Sequence, residues 1–185
     1  MEFCVSDITT AAPQPFPPES AIGQRLALSQ RGMHERLCAY RLAETMLRRC
    51  CPDCAVNFAF APNGKPYASG HPLHFNLSHS GRYVAAAVDK KPIGIDIECP
   101  RPFSERLAAR VCSPDELKWL DGDALRFAQL WTVKEALLKY RGTGIFSGDL
   151  RTLSVLRGDT LFIDGLRLHT ECNADYALSV VYEST

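Results

Sequence analysis

Residues 93–98 read Ile-Gly-Ile-Asp-Ile-Glu, the most informative stretch of the chain. Side chains of a β-strand point alternately to opposite faces, so this pattern predicts a strand with its isoleucines in the core and Asp96 and Glu98 on the other face. The two carboxylates would stand about 7 Å apart along the strand. The stretch fits a solvated sheet face, and it also fits a Mg²⁺ site, because this cation takes one or two carboxylates plus phosphate oxygens.

Residues 131–139 read Trp-Thr-Val-Lys-Glu-Ala-Leu-Leu-Lys and lie in a helix predicted from about Ala124 to Tyr140. Lys134 falls in the middle of the apolar stripe of this helix. Its ammonium group must either reach solvent along its stem or meet a carboxylate in the interior. Glu135 and Lys139 are four residues apart in the favourable order, which as a surface pair contributes only ~0.2–0.5 kcal/mol.

Three acids would form a demanding cluster if Glu135 joined Asp96 and Glu98 in one cleft. Each pair of carboxylates ~5 Å apart would repel by roughly 3 kcal/mol at an effective dielectric constant near 20. The acids must then take up protons or share a divalent cation. At neutral pH, beside a phosphate ligand, Mg²⁺ is the favoured solution.

A polar segment, Asn-Leu-Ser-His-Ser-Gly at 76–81, precedes a Val- and Ala-rich strand predicted at Arg82–Val88. The segment fits a plain turn with polar caps. Its hydroxyls, amide and imidazole also suit phosphate oxygens, helped by backbone N–H groups that a turn leaves available and by Lys65 in the preceding Asn-Gly turn.

The order of elements predicts an α/β (α+β) fold. Each half of the chain carries helical material followed by strands, with the halves meeting near residue 90, so we expect subdomains at 1–90 and 91–185. Other predicted helices cover Gln30–Cys50, Ser104–Val111 and a start at Ser113, where a serine, a proline and Glu116 form a capping signature. Further strands are predicted at Ala55–Phe60, Leu153–Leu156, Thr160–Ile163, Leu166–His169 and Tyr176–Tyr182.

Composition excludes several classes of protein. The chain has 185 residues, with 21 basic and 21 acidic side chains, which argues against nucleic acid as a partner. The start shows no signal peptide and no stretch could span a membrane, so a reducing cytoplasm and free thiols are expected for the eight cysteines. Zinc at Cys50, Cys51 and Cys54 is disfavoured because no histidine follows at close spacing, and His34, His71, His74 and His169 read as surface or packing residues.

Four motifs in one order carry a family resemblance. They are Gly64-Lys65-Pro66, Phe75 to Ser80, Gly94 to Glu98, and Trp131 to Ala136 with Lys139, and they span Gly64 to about Gly144, close to half of the chain. In combination they resemble the phosphopantetheinyl transferases of the surfactin-synthetase-activating type. That resemblance implies a monomer of two pseudo-symmetric α/β halves with mainly antiparallel sheets and coenzyme A between them.

The resemblance also implies roles for individual residues. Mg²⁺, or Mn²⁺ in its place, would be held by Asp96, Glu98 and Glu135. The phosphates of coenzyme A would be contacted by Lys65, Ser78, His79, Lys139 and either Arg36 or Arg41. Asp96, Glu135 and Lys139 would form the catalytic set, with Glu135 as the base.

The implied reaction moves 4′-phosphopantetheine from coenzyme A to a serine of an acyl or peptidyl carrier protein, as in holo-[acyl-carrier-protein] synthase. Arg101, Arg106 and Arg110 are candidates for docking an acidic carrier helix. Two alternatives stay open: a Mg²⁺-dependent pyrophosphohydrolase acting on coenzyme A or another nucleotide, and a non-catalytic module that binds coenzyme A or a carrier.

Overall fold

The computed structural model describes residues 1–28, 30–143 and 150–184, which form two compact units, Met1–Ile93 and Gly94–Thr185. The helices are α1 (Ala21–Ala27), α2 (Met33–Cys50), α3 (Glu105–Val111), α4 (Pro114–Leu120) and α5 (Ala124–Arg141). The strands are β1 (Glu2–Asp7), β2 (Phe58–Phe60), β3 (Pro66–Ala68), β4 (His74–Ser80), β5 (Tyr83–Asp89), β6 (Ile93–Glu98), β7 (Leu156–Arg157), β8 (Thr160–Leu161), β9 (Arg167–Cys172) and β10 (Ala177–Tyr182). The predicted mixed α/β class is confirmed.

The first unit is a three-stranded antiparallel sheet, in the order β1-β5-β4, covered by the long helix α2. The central strand β5 is buried on both faces because its alanines, Ala85 to Ala87, are fully enclosed. These small side chains let α2 pack closely, and Met46 and Leu47 of that helix contribute to the same apolar core. β2 and β3 form a separate antiparallel hairpin.

The second unit has a three-stranded sheet in the order β6-β10-β9, with α5 packed on β9 and β10. Its core includes Leu130, Val133 and Ala136 of α5 and Val181 of β10. Each unit therefore contains a three-stranded sheet and an 18-residue helix. A second small hairpin pairs β7 with β8.

Helix ends follow the capping residues that the sequence displays. Ser113 accepts a hydrogen bond from the backbone N–H of Glu116, whose side chain accepts from the N–H of Ser113, which completes the predicted capping box. Gly142, at φ +70°, closes α5 in the left-handed conformation that glycine adopts at low cost. The predicted bounds of α3 and α5 agree with the structure to within one or two residues.

Two expectations about local structure are wrong. Residues 76–80 belong to β4 rather than to a turn, because each pairs with β5 and only Gly81 begins the turn. Of the strand predicted at Leu153–Leu156, only Leu156 lies in a strand, β7, and a 3-10 turn at Leu150–Thr152 precedes this stretch. The strand β1 and its pairing with β5 were not predicted.

Cys51 and Cys54 form a disulfide, so the expectation of free thiols is wrong for this pair. The C-x-x-C segment forms a turn directly after α2, closed by the N–H of Cys54 donating to the carbonyl of Cys51, and this turn brings the two side chains together. Within the described part of the chain, no helix combines the length and the apolar character needed to cross a membrane.

Candidate active site

β6 and α5 are held in close contact by a glycine. A Cβ atom on Gly94 would overlap the carbonyl oxygen of Ala136 and lie 2.6 Å from the amide nitrogen of Tyr140. The strand can therefore approach the helix backbone only because this position has no side chain. Gly94 shares its strand face with Asp96 and Glu98, so the acids of β6 lie on the face that meets α5. The three isoleucines of β6 are buried on the other face, as the alternation predicted.

α5 is anchored from the other side by a buried ion pair. The ammonium group of Lys134 lies 2.7 Å from Oε2 of Glu116 and also donates to the carbonyls of Val111 and Leu150. Both side chains are only 1% exposed. Of the two alternatives for Lys134, the one in which its ammonium group meets a carboxylate in the interior is correct. Glu116 thus caps α4 and neutralises Lys134 at once, which fixes the residue immediately before Glu135.

Asp96 of β6 and Lys139 of α5 form an ion pair. Nζ of Lys139 lies 2.7 Å from Oδ1 of Asp96 and 3.1 Å from the carbonyl oxygen of Ile95. Asp96 is buried, whereas the lysine side chain keeps about a quarter of its surface exposed (28%). The lysine that was expected at the coenzyme phosphates therefore neutralises one of the candidate metal ligands in this structure.

Glu135 has an unusual environment. It is buried, and its Oε1 has no hydrogen-bond partner among the described residues. Burial, followed by repulsion from Asp96, raises the pKa of Glu135 from its ordinary value of 4.5 to about 7, against the opposing effect of Lys139 and with a further contribution from Glu98. The charges of Asp96 and Glu98 therefore both act on Glu135.

Glu98 lies at the edge of this cluster. Its Oε1 is 2.9 Å from Nη2 of Arg101, and the arginine side chain is largely exposed. A surface ion pair of this kind is weak, because solvent and salt screen it. Arg106 and Arg110 of α3 are exposed, as a docking role for them requires.

The three carboxylates offer the kind of oxygen ligand that a hard divalent cation takes, although their oxygens do not all lie within 4.8 Å of one another in this structure. Mg²⁺ prefers oxygen ligands and draws them from one or two carboxylates together with substrate phosphates and water. Oε1 of Glu135 is a buried acceptor that such an ion, or water bound to it, would satisfy. Asp96 and Glu98 supply further oxygens from the neighbouring strand.

The first unit carries the residues expected to bind phosphate. On β4, Asn76 and Ser78 are buried and His79 is exposed, in the alternation of a strand. These residues belong to a strand that is paired with β5, and not to a turn. Burial lowers the pKa of Lys65 in the β2–β3 turn.

Arg36 and Arg41 differ sharply in their surroundings. Arg41 donates to the carbonyls of Gln14 and Pro15 and to Glu44, and its guanidinium lies 3.7 Å from the centre of the Phe16 ring. It therefore holds the proline-rich segment Ala12–Glu19 against α2. Arg36 donates to the carbonyl of Gly32 at the start of α2.

Arg25 was missed by the sequence analysis, because α1 contains no motif that singles it out. The charges of Arg25 and Arg36 both act to lower the pKa of Tyr40, which burial nevertheless raises to about 12. Arg25 also lies beside the turn that holds Lys65, since a Cβ on Gly64 would be 3.4 Å from its Nη2. A Cβ on Gly32 would lie 3.9 Å from Cε1 of His79. We call Arg25, Arg36, Lys65 and His79 the basic cluster.

Comparisons with known proteins agree with the resemblance read from the motifs. A model of the 4′-phosphopantetheinyl transferase superfamily matches residues 92–181, the stretch that contains β6 and α5. The chain is 41% identical over 96 residues to the 4′-phosphopantetheinyl transferase Sfp of Bacillus subtilis, covering 49% of this chain and 43% of that protein.

Two further relatives extend the picture. A 4′-phosphopantetheinyl transferase of Bacillus pumilus, psf-1, is 45% identical over 99 residues, which is 50% of this chain and 42% of that protein. The 4′-phosphopantetheinyl transferase gsp of Aneurinibacillus migulanus is 35% identical over 121 residues, which is 58% of this chain and 51% of that protein. The chain thus spans about half the length of the curated relatives it matches. Residues 92–181, just under half of the chain, are therefore similar in sequence to the 4′-phosphopantetheinyl transferase superfamily.

Proposed function

We propose that the chain transfers the 4′-phosphopantetheine group of coenzyme A to a serine hydroxyl of an apo acyl or peptidyl carrier protein, releasing adenosine 3′,5′-bisphosphate. One observation carries the proposal: Glu135 is a buried acid with a pKa of about 7, set beside Asp96, Glu98 and Lys139 in the segment that the family model matches. The three relatives described above carry the name of this activity.

Asp96, Glu98 and Glu135 would hold Mg²⁺, or Mn²⁺ in its place. When bound, the ion supplies positive charge to the diphosphate of coenzyme A. Lys139 would supply positive charge at the same place. Its ammonium group donates to the carbonyl of Ile95 and to the carboxylate of Asp96, one of the proposed metal ligands. A fixed cation placed where negative charge develops lowers the barrier to phosphoryl transfer.

Glu135 is the proposed base. A carboxylate within hydrogen-bond reach of a serine hydroxyl can accept its proton as the hydroxyl oxygen attacks. In the metal-free chain burial raises the pKa of Glu135 to about 7, and a bound cation would lower it and keep the carboxylate ionised. The proton moves to a carboxylate oxygen of Glu135, directly or through one water molecule, as the serine oxygen attacks the β-phosphorus of coenzyme A.

The basic cluster is proposed to bind the phosphates of coenzyme A, together with Ser78. Arg36 is preferred over Arg41, since the donors of Arg41 are engaged by the proline-rich segment. Arg25 joins the set because of its position beside the turn of Lys65. Several flexible cations around one polyanion allow the 3′-phosphate and the diphosphate to be held separately.

The rival activities differ in what they require. A pyrophosphohydrolase would release adenosine 3′,5′-bisphosphate from coenzyme A and Mg²⁺ without a carrier. A binding module would hold coenzyme A or the carrier without changing either. A buried Glu135 close to two further acids, Asp96 and Glu98, favours a catalyst over a binding module, and the names of the relatives favour transfer over hydrolysis. Carrier identity, a monomeric state and a cytoplasmic location stay predictions.

The test is intact-mass spectrometry of an apo-carrier mixed with the chain, coenzyme A and Mg²⁺. We expect the carrier to gain the mass of one phosphopantetheine arm, and an otherwise identical carrier with alanine at its acceptor serine to gain none. Asp96→Ala should abolish the gain and leave the circular dichroism spectrum unchanged, whereas Asp164→Asn, at an exposed ion pair, should behave as wild type. Release of the nucleotide at the same rate without carrier would instead establish hydrolysis.

A further inference from the structure

Three metal-binding side chains meet in the first unit, away from the acids of β6 and α5 in the sequence. Sγ of Cys51, Sγ of Cys54 and a ring nitrogen of His71 all lie within 4.8 Å of one another. Cys51 and Cys54 come from the turn after α2, and His71 precedes β4. The sequence analysis took His71 for a surface or packing residue; the fold brings it close to two cysteines that lie far from it in sequence.

His71 has one ring nitrogen in use and one without a partner. Its Nδ1 accepts a hydrogen bond of 3.2 Å from the backbone N–H of Leu73. Its Nε2 is buried and has no hydrogen-bond partner among the residues that the structure describes. A buried polar atom without a partner destabilises the folded chain, and a ligand at Nε2 would remove this cost.

We propose that Cys51, Cys54 and His71 form a zinc site when the Cys51–Cys54 disulfide is reduced. A small-molecule dithiol transfers two electrons and two protons to the disulfide, and is itself oxidised to a cyclic disulfide. Zn²⁺ then displaces both thiol protons and binds two thiolates and Nε2 of His71. The single proton of the neutral imidazole moves to Nδ1, so the contact with the N–H of Leu73 opens, and water completes a fourth position.

The ligand set favours zinc over the magnesium of the proposed active site. Thiolate and imidazole are soft or intermediate ligands that suit Zn²⁺, whereas Mg²⁺ requires oxygen. Tetrahedral zinc, with bonds of about 2.3 Å to sulfur and 2.0–2.1 Å to nitrogen, places its ligand atoms ~3.5–3.8 Å apart. The observed separations are within 4.8 Å, so only a local adjustment of the turn is needed after the sulfurs part.

The electrostatic setting also suits a cation. Cys51 caps the C-terminal end of α2, where the helix dipole is negative and the N–H of Cys51 donates to Leu47. The two arginines of the last turn would oppose a cation, but each faces a carboxylate: Arg48 is 2.9 Å from Glu44, and Arg49 is 2.6 Å from Glu2.

Zinc would join parts of the first unit that the disulfide leaves separate. The disulfide links two residues that are only three positions apart in the sequence. A metal bound also to His71 ties the end of α2 to the segment leading into β4, the strand that carries Ser78 and His79. We therefore expect the reduced, zinc-bound chain to unfold at a higher temperature than the reduced, metal-free chain.

The experiment is a cobalt titration of the reduced, metal-free chain in the presence of excess Mg²⁺, followed by displacement with Zn²⁺. We expect one Co²⁺ per chain, with the near-ultraviolet charge-transfer band of thiolate ligands and the intense visible bands of tetrahedral cobalt. Cys51→Ser, Cys54→Ser and His71→Ala should each weaken binding at least tenfold. Circular dichroism will verify that each variant is folded.

Two matched variants serve as controls. Cys50→Ser removes the adjacent thiol, and His74→Ala removes a neighbouring exposed imidazole outside the cluster. Both should bind cobalt as wild type does. The proposal is overturned if the reduced chain shows no thiolate charge-transfer band, if His71→Ala binds as tightly as wild type, or if Cys50→Ser loses binding. It is independent of the transferase activity, since no step of it involves the three acids.

Discussion

Nζ of Lys139 lies 2.7 Å from Oδ1 of Asp96, although 43 residues separate them in the chain. The contact exists because Gly94 lets β6 run against the backbone of α5 at Ala136. The same contact places Glu135 where the charges of Asp96 and Glu98 raise its pKa. The geometry of the candidate site thus depends on the position of one strand relative to one helix.

Gly94→Ala should disrupt this arrangement. The added methyl group would overlap the Ala136 carbonyl, and forced overpacking of this kind costs about 1–3 kcal/mol. Both the transferase activity and the free energy of unfolding, measured in urea, should fall. Gly70→Ala is the control: that glycine has φ +70° but nothing within 4 Å, so only backbone strain of about 1–2 kcal/mol is expected, with activity kept. Wild-type stability and activity in Gly94→Ala would contradict the account.

Lys134→Met should be strongly destabilising. It leaves the carboxylate of Glu116 buried without its cation, and breaking one partner of a buried pair costs about 3–5 kcal/mol. Lys118→Met, which breaks the exposed pair with Asp115, should change the free energy of unfolding by less than about 1 kcal/mol. Denaturant unfolding of both variants gives the comparison. Equal losses would show that burial of the Lys134 pair has no special energetic weight.

The metal-free chain should lose stability as pH rises toward neutrality because of Glu135. The folded state keeps this carboxyl protonated up to about pH 7, whereas the unfolded chain releases the proton near 4.5. The folded state therefore binds more protons between these values, and the free energy of unfolding falls as pH rises through that window. In Glu135→Gln this component should disappear, and in wild type added Mg²⁺ should raise the melting temperature more at pH 8 than at pH 5. An identical pH dependence in both proteins would refute the assignment.

Substitutions of Arg36 and Arg41 should have different effects, because Arg36 is proposed to bind coenzyme A and Arg41 stabilises the fold. Arg41→Ala loses contacts to Gln14, Pro15 and Glu44, so we expect a loss of roughly 1–3 kcal/mol in unfolding free energy with an unchanged KM for coenzyme A. Arg36→Ala should keep stability but raise that KM about tenfold or more, since a hydrogen bond to a charged group contributes ~1.5–3 kcal/mol. Steady-state kinetics with varied coenzyme A would reveal the opposite pattern if the roles were reversed.

Much of the fold was predictable because it depends on local rules. The isoleucine alternation of β6, the capping box at Ser113 and the terminal Gly142 each specify an element through residues close in sequence. β1 and the strand character of residues 76–80 depend on pairing with β5, and a polar strand of this kind looks like a turn until its partner is known.

The residues of the candidate active site and of the proposed zinc site also divide into those that local sequence identifies and those that it does not. Asp96, Glu98, Glu135 and Lys139 could be named because they stand in contiguous motifs. Arg25 and His71 could not, since their neighbours come from distant parts of the chain: a turn after β2 for one, and the end of α2 for the other. Lys134 could be recognised as needing a carboxylate, but the identity of Glu116 required the fold.

The central claim is that Asp96, Glu98 and Glu135 share one divalent ion, and Mn²⁺ binding measured by electron paramagnetic resonance tests it most directly. With coenzyme A present, the account predicts one tightly bound Mn²⁺ per chain. Binding should be weakened at least tenfold in Asp96→Asn, Glu98→Gln and Glu135→Gln alike. Asp115→Asn, at an exposed acid, should bind as wild type does. Undiminished Mn²⁺ binding by Glu135→Gln would contradict the account.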